Sequence, residues 1–393
     1  MSAGTGHALI YVQHLLGIGH LRRAAALARA LDRAGFAVTL VSGGAPVAHL
    51  ELGAARFVQL PAVLSADEAF SAIVDAEGHP VDAAFQERRR ALLLSVLEET
   101  APDVVITEAF PFGRRQLHFE LLPFLDRANA MRPRPLIISS IRDVLQQNRK
   151  PERIRETVEL VRARFDRVLV HGDPRLIRLE DSFPKANEIA DKIVYTGYIA
   201  DEGQPPASAP LSERREIVVS AGGGAVGGKL LLTALDARAL SAAAEWPWRV
   251  LAGGNLPQEA FDALRRAAPE SVTVERARPD FRALLRNARA SISQAGYNTV
   301  MDILSTGTPA VLVPFAAGEQ SEQSLRARRL ADHKMATVVS EADLRPDVLA
   351  QALDRTLRLH PARTDIDLDG ADESARLIAR WLDAARADAA NAP

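Results

Sequence analysis

A histidine placed directly behind two glycines can do proton chemistry. In the stretch GIGHLRRAAALARAL, Gly17, Gly19 and His20 follow the apolar run Ala8–Val12 and open an alanine-rich helical segment. Such a turn sets an imidazole at a helix start beyond a strand end. There the helix dipole disfavours the protonated ring and leaves a neutral proton acceptor. His14 lies close enough to rival His20 for that role, and the sequence assigns an orienting acid to neither. The plain alternative is a helix-entry histidine without chemistry. The glycines do not make a dinucleotide fingerprint. Arg22 stands where the third glycine belongs, and the next strand segment, AVTLVSGG, ends without the acid that holds ribose hydroxyls.

A second glycine-rich turn, SAGGGAVGGKLLLTAL, carries Gly222, Gly223 and Gly224. Gly223, Gly228 and Lys229 satisfy most of a phosphate-binding P-loop. Leu230 occupies the place where a serine or threonine would hold magnesium. The turn therefore reads as backbone N–H groups offered to an anion, such as a diphosphate, without a metal.

These residues must be positioned by strands. Apolar β-branched runs alternate with helical stretches, which argues for parallel sheets covered by helices on both faces. ALIYV, AVTLVS, RFVQL, DVVIT, PLIISS and RVLVHG supply six strands in the first half. EIVVSAGGG, WRVLAGG, SVTVE, ASISQAG, PAVLVPF and ATVVS supply six in the second. QPPASAP, residues 204–210, reads as a linker. The expected organisation is a first α/β domain over 1–203, a second over 211–360, and a tail, 361–393, whose helix has no assigned place. Both domains read as Rossmann-like, doubly wound and facing across a cleft. Ligands bind beyond the carboxyl ends of such strands. Those ends carry Gln13, His14, Ser42, Glu108, Arg142, Asp143 and His171 in the first half. In the second they carry Gly222–Gly224, Gly253, Gly254 and Gln294.

Composition narrows the function classes. The chain has 393 residues, enough for two cores, and a net charge of −2, which offers no footprint for nucleic acid. It has no cysteine, which excludes thiol chemistry. The first residues lack a secretory pattern and no run is apolar enough to span a bilayer, so a cytoplasmic location is expected. RRRALLLSVL, Arg88–Leu97, leaves room for peripheral contact with a membrane, although a buried helix with a basic end is the usual case. DIDLDG, Asp365–Gly370, begins like a calcium loop but has Arg376 at the twelfth position and reads as a solvated turn.

The longest ordered motif is SISQAGYNTVMDILSTGTPAVLVPFAAGEQSEQSLRARRL, Ser291–Leu330. It resembles the donor-site signature of GT-B glycosyltransferases, above all the MurG-like, family 28-like N-acetylglucosaminyltransferases. Ala295, Gly296, Asn298, Thr299, Asp302, Gly307, Pro309, Pro314, Phe315, Glu319 and Gln320 occupy the positions of that signature. Asp302 stands where the family usually has glutamate, and Gln294 where plant relatives often have histidine.

The resemblance implies a GT-B fold and a metal-independent, inverting transfer of sugar from a nucleotide sugar, UDP-linked in the first instance, to a hydroxyl acceptor. It implies no cofactor. The donor would be bound by Gly222, Gly223, Gly224, Gln294, Ala295, Gly296, Asn298, Thr299, Asp302, Glu319 and Gln320. Gly17 and Gly19 would form a loop near the donor phosphates and the acceptor. Glu108, Arg114 and Arg142 would lie on the acceptor side, with His20 as base. Two rivals share the fold: a nucleotide-sugar hydrolase, echoed by GIGHLRR, and a UDP-N-acetylglucosamine 2-epimerase. A third reading is a protein that binds a nucleotide sugar and turns nothing over.

Overall fold

The structure is a computed structural model. It describes residues 6–15, 17–48, 50–66, 72–145, 150–200, 210–222, 227–254, 256–315, 322–358 and 365–390. The chain divides into two units, 1–201 with 367–393, and 202–366. Of the expected linker, only Pro210 is among the described residues.

In unit 1 the elements run β1 (Gly6–Val12), α1 (Gly19–Arg33), β2 (Phe36–Ser42), β3 (Arg56–Gln59), a small hairpin of β4 (Leu64–Ser65) and β5 (Ile73–Val74), α2 (Ala83–Thr100), β6 (Val104–Glu108), α3 (His118–Ala130), β7 (Leu136–Arg142), α4 (Pro151–Arg164), β8 (Arg167–His171) and β9 (Ile193–Tyr195). Seven parallel strands form one sheet in the order β3-β2-β1-β6-β7-β8-β9. The period of two along β1 builds the layers. Ala8, Ile10 and Val12 pack with α1 on one face, and Leu9 and Tyr11 pack beneath α2 and α3 on the other. The six strand segments legible in the first half are all present. β9 and the hairpin were not foreseen, because three-residue and two-residue strands between polar turns carry no periodicity to read.

Unit 2 contains β10 (Ile217–Ser220), α5 (Gly228–Arg238), β11 (Trp248–Ala252), α6 (Gln258–Ala267), β12 (Val272–Arg276), α7 (Phe281–Asn287), β13 (Ala290–Ser293), α8 (Tyr297–Thr306), β14 (Ala310–Leu312), α9 (Glu322–Asp332), β15 (Thr337–Val338) and α10 (Pro346–Arg358). Its six parallel strands run β12-β11-β10-β13-β14-β15. Ile217, Val219, Val250 and Ile292 form its core with apolar residues of α5 and α10. In each sheet the order reverses at the first strand, β1 or β10, which makes the strand ends there the natural place for a ligand.

The helix that the sequence left without a place, α11 (Gly370–Ala390), returns to unit 1. Ala371, Ala375, Ile378 and Leu382 form its buried stripe and pack with Leu27, Ala28 and Leu31 of α1. Its approach is tight. Tyr198 donates its N–H to the Asp367 carbonyl, and Gly370 donates to the Tyr198 carbonyl. A Cβ on Gly370 would lie 2.3 Å from the Gly197 carbonyl oxygen, so only glycine fits. DIDLDG is thus a clasp that closes through backbone hydrogen bonds. Among the described residues no helix is long and apolar enough to cross a membrane.

Candidate functional site

The carboxyl ends of β1, β6, β7 and β8 bring ionisable side chains together in unit 1. Gly19 and His20 are the first two residues of α1. The preceding Gly17 is exposed and has open space where a Cβ would stand. His20 keeps 19% of its side chain exposed, and its Nδ1 lies 3.0 Å from Oε1 of Glu108. Glu108 ends β6 and is 1% exposed. The same Oε1 accepts from Arg23, one turn along α1 from His20, and Oε2 accepts from the Ser140 hydroxyl at 2.5 Å. Nδ1 of His20 also lies 3.1 Å from an Arg23 nitrogen. A bare Nδ1 lone pair would face the carboxylate oxygen, so the favourable tautomer carries its proton on Nδ1 and leaves Nε2 as the acceptor.

Charge fixes the protonation states. Burial alone would raise the Glu108 carboxyl. The Arg23 guanidinium and the hydrogen bonds from His20 and Ser140 outweigh it and hold the group well below the usual carboxylate range. Burial, then the Arg114 guanidinium, push His20 down to about 3 against the pull of Glu108. Arg114 itself is lowered to about 10 by burial and by Arg142. The centre is thus an ionised acid beneath a neutral imidazole, with Arg23 and Arg114 around it.

The loop between β6 and α3 is held under strain. Ala109 and Arg114 take left-handed φ values of 68° and 64°, which cost an L-residue on the order of 1–2 kcal/mol each. Arg114 donates from Nε to the Gln13 carbonyl, and Ala109 donates to the Ser140 carbonyl. These bonds tie the ends of β1, β6 and β7 to one another. Arg142 ends β7 and is half-buried. Arg115, by contrast, pairs at the surface with Glu156.

His14 fits the base role poorly. It is 3% exposed, and its Nε2 is engaged with the Ala45 carbonyl at 3.0 Å. A Cβ on Gly44 would lie 2.5 Å from Nδ1, so the Gly44 backbone covers that edge. Both nitrogens face protein. Glu108, expected on the acceptor side, is buried at the end of β6. It lies behind His20, with Oε1 on Nδ1, where it can orient the ring, a partnership that sequence reading did not assign. The basic segment Arg88–Leu97 belongs to α2, and Arg89 turns fully inward. There it binds Glu120 at 2.6 Å, Gln13 at 2.6 Å and the Gly43 carbonyl at 2.8 Å, fixing the loops after β1 and β2.

Unit 2 has a different kind of surface at its strand ends. Gly222 and Gly227 adopt φ of 73° and 122° beside β10, and a Cβ on Gly227 would lie 2.3 Å from that of Ala221. Gln294, 8% exposed, follows β13 and donates its N–H to the Ser220 carbonyl. Gly296 caps α8 without any side-chain capping bond. Asn298, Thr299 and Asp302, spaced three and four apart, share a partly exposed face of α8, while Val300, Met301 and Ile303 are buried. The N–H of Ala295 is given to Oε1 of Gln323 at 3.1 Å. That same Oε1 accepts from Phe315, and Arg326, fully buried, donates to the Ala295 carbonyl. Gln323 and Arg326 of α9 therefore hold the Gly296 turn in place. Neither was foreseen, since nothing in their spacing marks them as inward-facing. Gly223, Gly224, Glu319 and Gln320 lie outside the described residues. Among the described residues no group of three or more histidine, aspartate or glutamate side chains converges as a metal site would require.

Residues 251–367 match the glycosyltransferase family 28 C-terminal domain. The chain is 27% identical over 256 residues, 62% of its length, to the UDP-N-acetylglucosamine–N-acetylmuramyl-(pentapeptide) pyrophosphoryl-undecaprenol N-acetylglucosamine transferase of Phenylobacterium zucineum. It is 33% identical over 139 residues, 34% of its length, to the same transferase of Polaromonas naphthalenivorans. These alignments span 66% and 39% of the two relatives, so neither reaches two thirds of its partner. Among solved structures, the calicheamicin glycosyltransferase CalG4 superposes with a TM-score of 0.62 at 18% identity over 100% of both chains. MurG of Acinetobacter baumannii superposes with a TM-score of 0.61 at 17% identity, covering 95% of this chain and 99% of that one. Residues 251–367 thus match the family 28 glycosyltransferase C-terminal domain, and the chain shares its fold with the GT-B glycosyltransferases CalG4 and MurG.

Proposed function

We propose that the protein is a metal-independent, inverting glycosyltransferase that moves a sugar from a UDP-linked donor to a hydroxyl acceptor. The family 28 domain over 251–367 carries this reading, and the His20–Glu108 pair supplies the chemistry. Gly222, Gln294, Gly296, Asn298, Thr299 and Asp302 bind the donor, together with Gly223, Gly224, Glu319 and Gln320. The amino terminus of α8 and the glycine turns offer backbone N–H groups to the diphosphate, where charge grows as the sugar departs. Nε2 of His20 takes the acceptor proton. Glu108 holds Nδ1–H and stabilises the imidazolium that forms. The resting ring is a weak base because Arg114 and Arg23 oppose its protonation. An anionic group of either substrate beside Arg114 and Arg142 offsets that opposition and strengthens the base at the moment it is needed.

The test is product analysis. The full chain is incubated with UDP-, dTDP- and GDP-sugars and a mixed acceptor pool, with and without EDTA, and products are read by mass spectrometry. Sugar on an acceptor, formed equally with EDTA, is the expected result. Free sugar that no acceptor diverts would assign a hydrolase in which His20 activates water. An epimerised donor would assign an epimerase. Binding without turnover of any donor would leave a sensor. A strict requirement for magnesium or manganese would overturn the metal-independent mechanism.

A further inference from the structure

Behind Glu108 the hydrogen bonds continue, through residues that the reading above does not use. Ser140 Oγ lies 2.5 Å from Glu108 Oε2 and 2.9 Å from Nε2 of His171. Nδ1 of His171 lies 2.8 Å from the Thr196 hydroxyl, which also lies 3.1 Å from the Gly197 carbonyl. Ser140 and Thr196 are 1% exposed and His171 is fully buried. Ser140 of β7 pairs with Glu108, His171 ends β8 and pairs with Arg142, and Thr196 follows β9, so neighbouring strands of one sheet bring the row together behind β6.

Counting protons gives the row a direction. Ser140 has one hydroxyl proton and two neighbours. An ionised carboxylate can only accept, and it is the closer, so the proton points to Glu108. Nε2 of His171 must then donate to Ser140. Burial pushes His171 down to about 3, so the ring is neutral and its Nδ1 is an acceptor, and the Thr196 hydroxyl is nearer to it, at 2.8 Å, than to the Gly197 carbonyl at 3.1 Å. Every donor in the row thus points toward Glu108, whose two oxygens receive Ser140 on one side and Arg23 with His20 on the other.

We propose that Ser140 and His171 are positioning residues for His20, acting through Glu108 in a directed row Thr196–His171–Ser140–Glu108–His20. The inference rests on the reading of His20 as base. Ser140 anchors the carboxylate plane so that Oε1 meets Nδ1, and its proton draws charge from the carboxylate. His171 strengthens that donor, since hydrogen bonds in a row polarise one another. The charged groups around His20 are Glu108 from β6, Arg23 from α1 and Arg114 from the loop after β6. Arg142 and Tyr11 act on Arg114, and Arg23 and Glu108 act on His171.

The row predicts two tautomers: His20 with its proton on Nδ1 and His171 with its proton on Nε2. Long-range proton–nitrogen NMR of the full chain labelled with 15N-histidine reads both, with His20→Gln and His171→Gln as assignment controls. Ser140→Ala should lower kcat roughly tenfold, the loss of one hydrogen bond to a charged group, with little change in donor KM. It should also shift the acid limb of the kcat/KM profile to higher pH, because a carboxylate without the Ser140 proton holds the His20 imidazolium more strongly. Ser140→Thr, which keeps the hydroxyl, should restore both. A His20 found with its proton on Nε2 overturns the proposal, as does a Ser140→Ala protein with unchanged tautomers and an unchanged acid limb. If Ser140→Ala does not fold, the wild-type tautomers and Ser140→Thr carry the test. Failure of the base reading looks different: turnover survives His20→Ala while the tautomers stand as expected.

Discussion

The strand ends of the two units solve opposite problems. In unit 1 they are filled with side chains that carry protons and charge, and each of these side chains is held by another: His20 by Glu108, Glu108 by Arg23 and Ser140, Ser140 by His171. In unit 2 they are lined by glycines and by the open start of α8, and Arg326, a large cation buried there, reaches a backbone carbonyl to hold a turn. Side-chain networks suit a centre whose atoms must change protonation without moving. Backbone and small residues suit a surface that another molecule must approach closely. Under the proposed function the same sheet architecture serves both, because what differs is confined to the residues just past each strand.

The contrast can be broken first at His20. His20→Ala should lower kcat by about 10²–10⁴, while the Kd for UDP measured by calorimetry stays near the wild-type value. A comparable loss of nucleotide affinity would show that unit 1 is no separate proton-handling centre. The next effect is on stability in acid. His20 and His171 both lie near 3 in the folded chain against an ordinary value of 6.5, so the unfolded chain binds more protons between those limits. Their contribution is complete above pH 6.5 and is lost as the pH falls toward 3. The slope is at most about 1.4 kcal/mol per pH unit for each ring. Glu108, depressed in the fold, adds its own loss below its ordinary value of 4.5. Urea titrations across pH 3–7 should show this decline, and His171→Gln should flatten it. A curve that is flat from 6.5 to 4 would mean that the rings are not held neutral. The smallest effect is expected in unit 2. Asp302→Ala should weaken UDP-sugar binding by roughly tenfold, the value of one hydrogen bond to a charged group, with kcat nearly preserved. Unchanged affinity would remove Asp302 from the donor surface.

Much of this was legible in the sequence. Twelve strand segments, the glycine turn before His20 and the run from Ala295 to Asp302 all announce themselves by local pattern, since period, turn chemistry and helix starts are properties of neighbouring residues. What could not be read depends on residues far apart in the chain. Glu108 was visible at a strand end, but its partnership with His20 spans 88 positions and depends on β1 lying beside β6. Ser140 and Thr196 are ordinary polar residues until the sheet order aligns them. Arg89 reads as part of a basic surface run, and only the packing of α2 on α3 shows that Glu120 draws it inside. α11 shows an apolar face by its period, yet nothing in that period says which unit it covers.

The return of α11 to unit 1 has a consequence for how the protein is made. The ribosome completes every strand of unit 1 before it starts unit 2, but the helix that covers α1, and the clasp that grips Tyr198, emerge only after residue 366. At about 5–20 residues per second, synthesis of the intervening unit takes on the order of 10 s or more. During that interval α1, which begins with Gly19 and His20, shows Leu27, Ala28 and Leu31 to solvent or to whatever binds nascent chains. A message cut short anywhere in unit 2 leaves that face bare and the segment carrying Thr196 unclasped. The cluster around His20 and Glu108, encoded almost wholly in the first half, is therefore finished only by residues that follow unit 2.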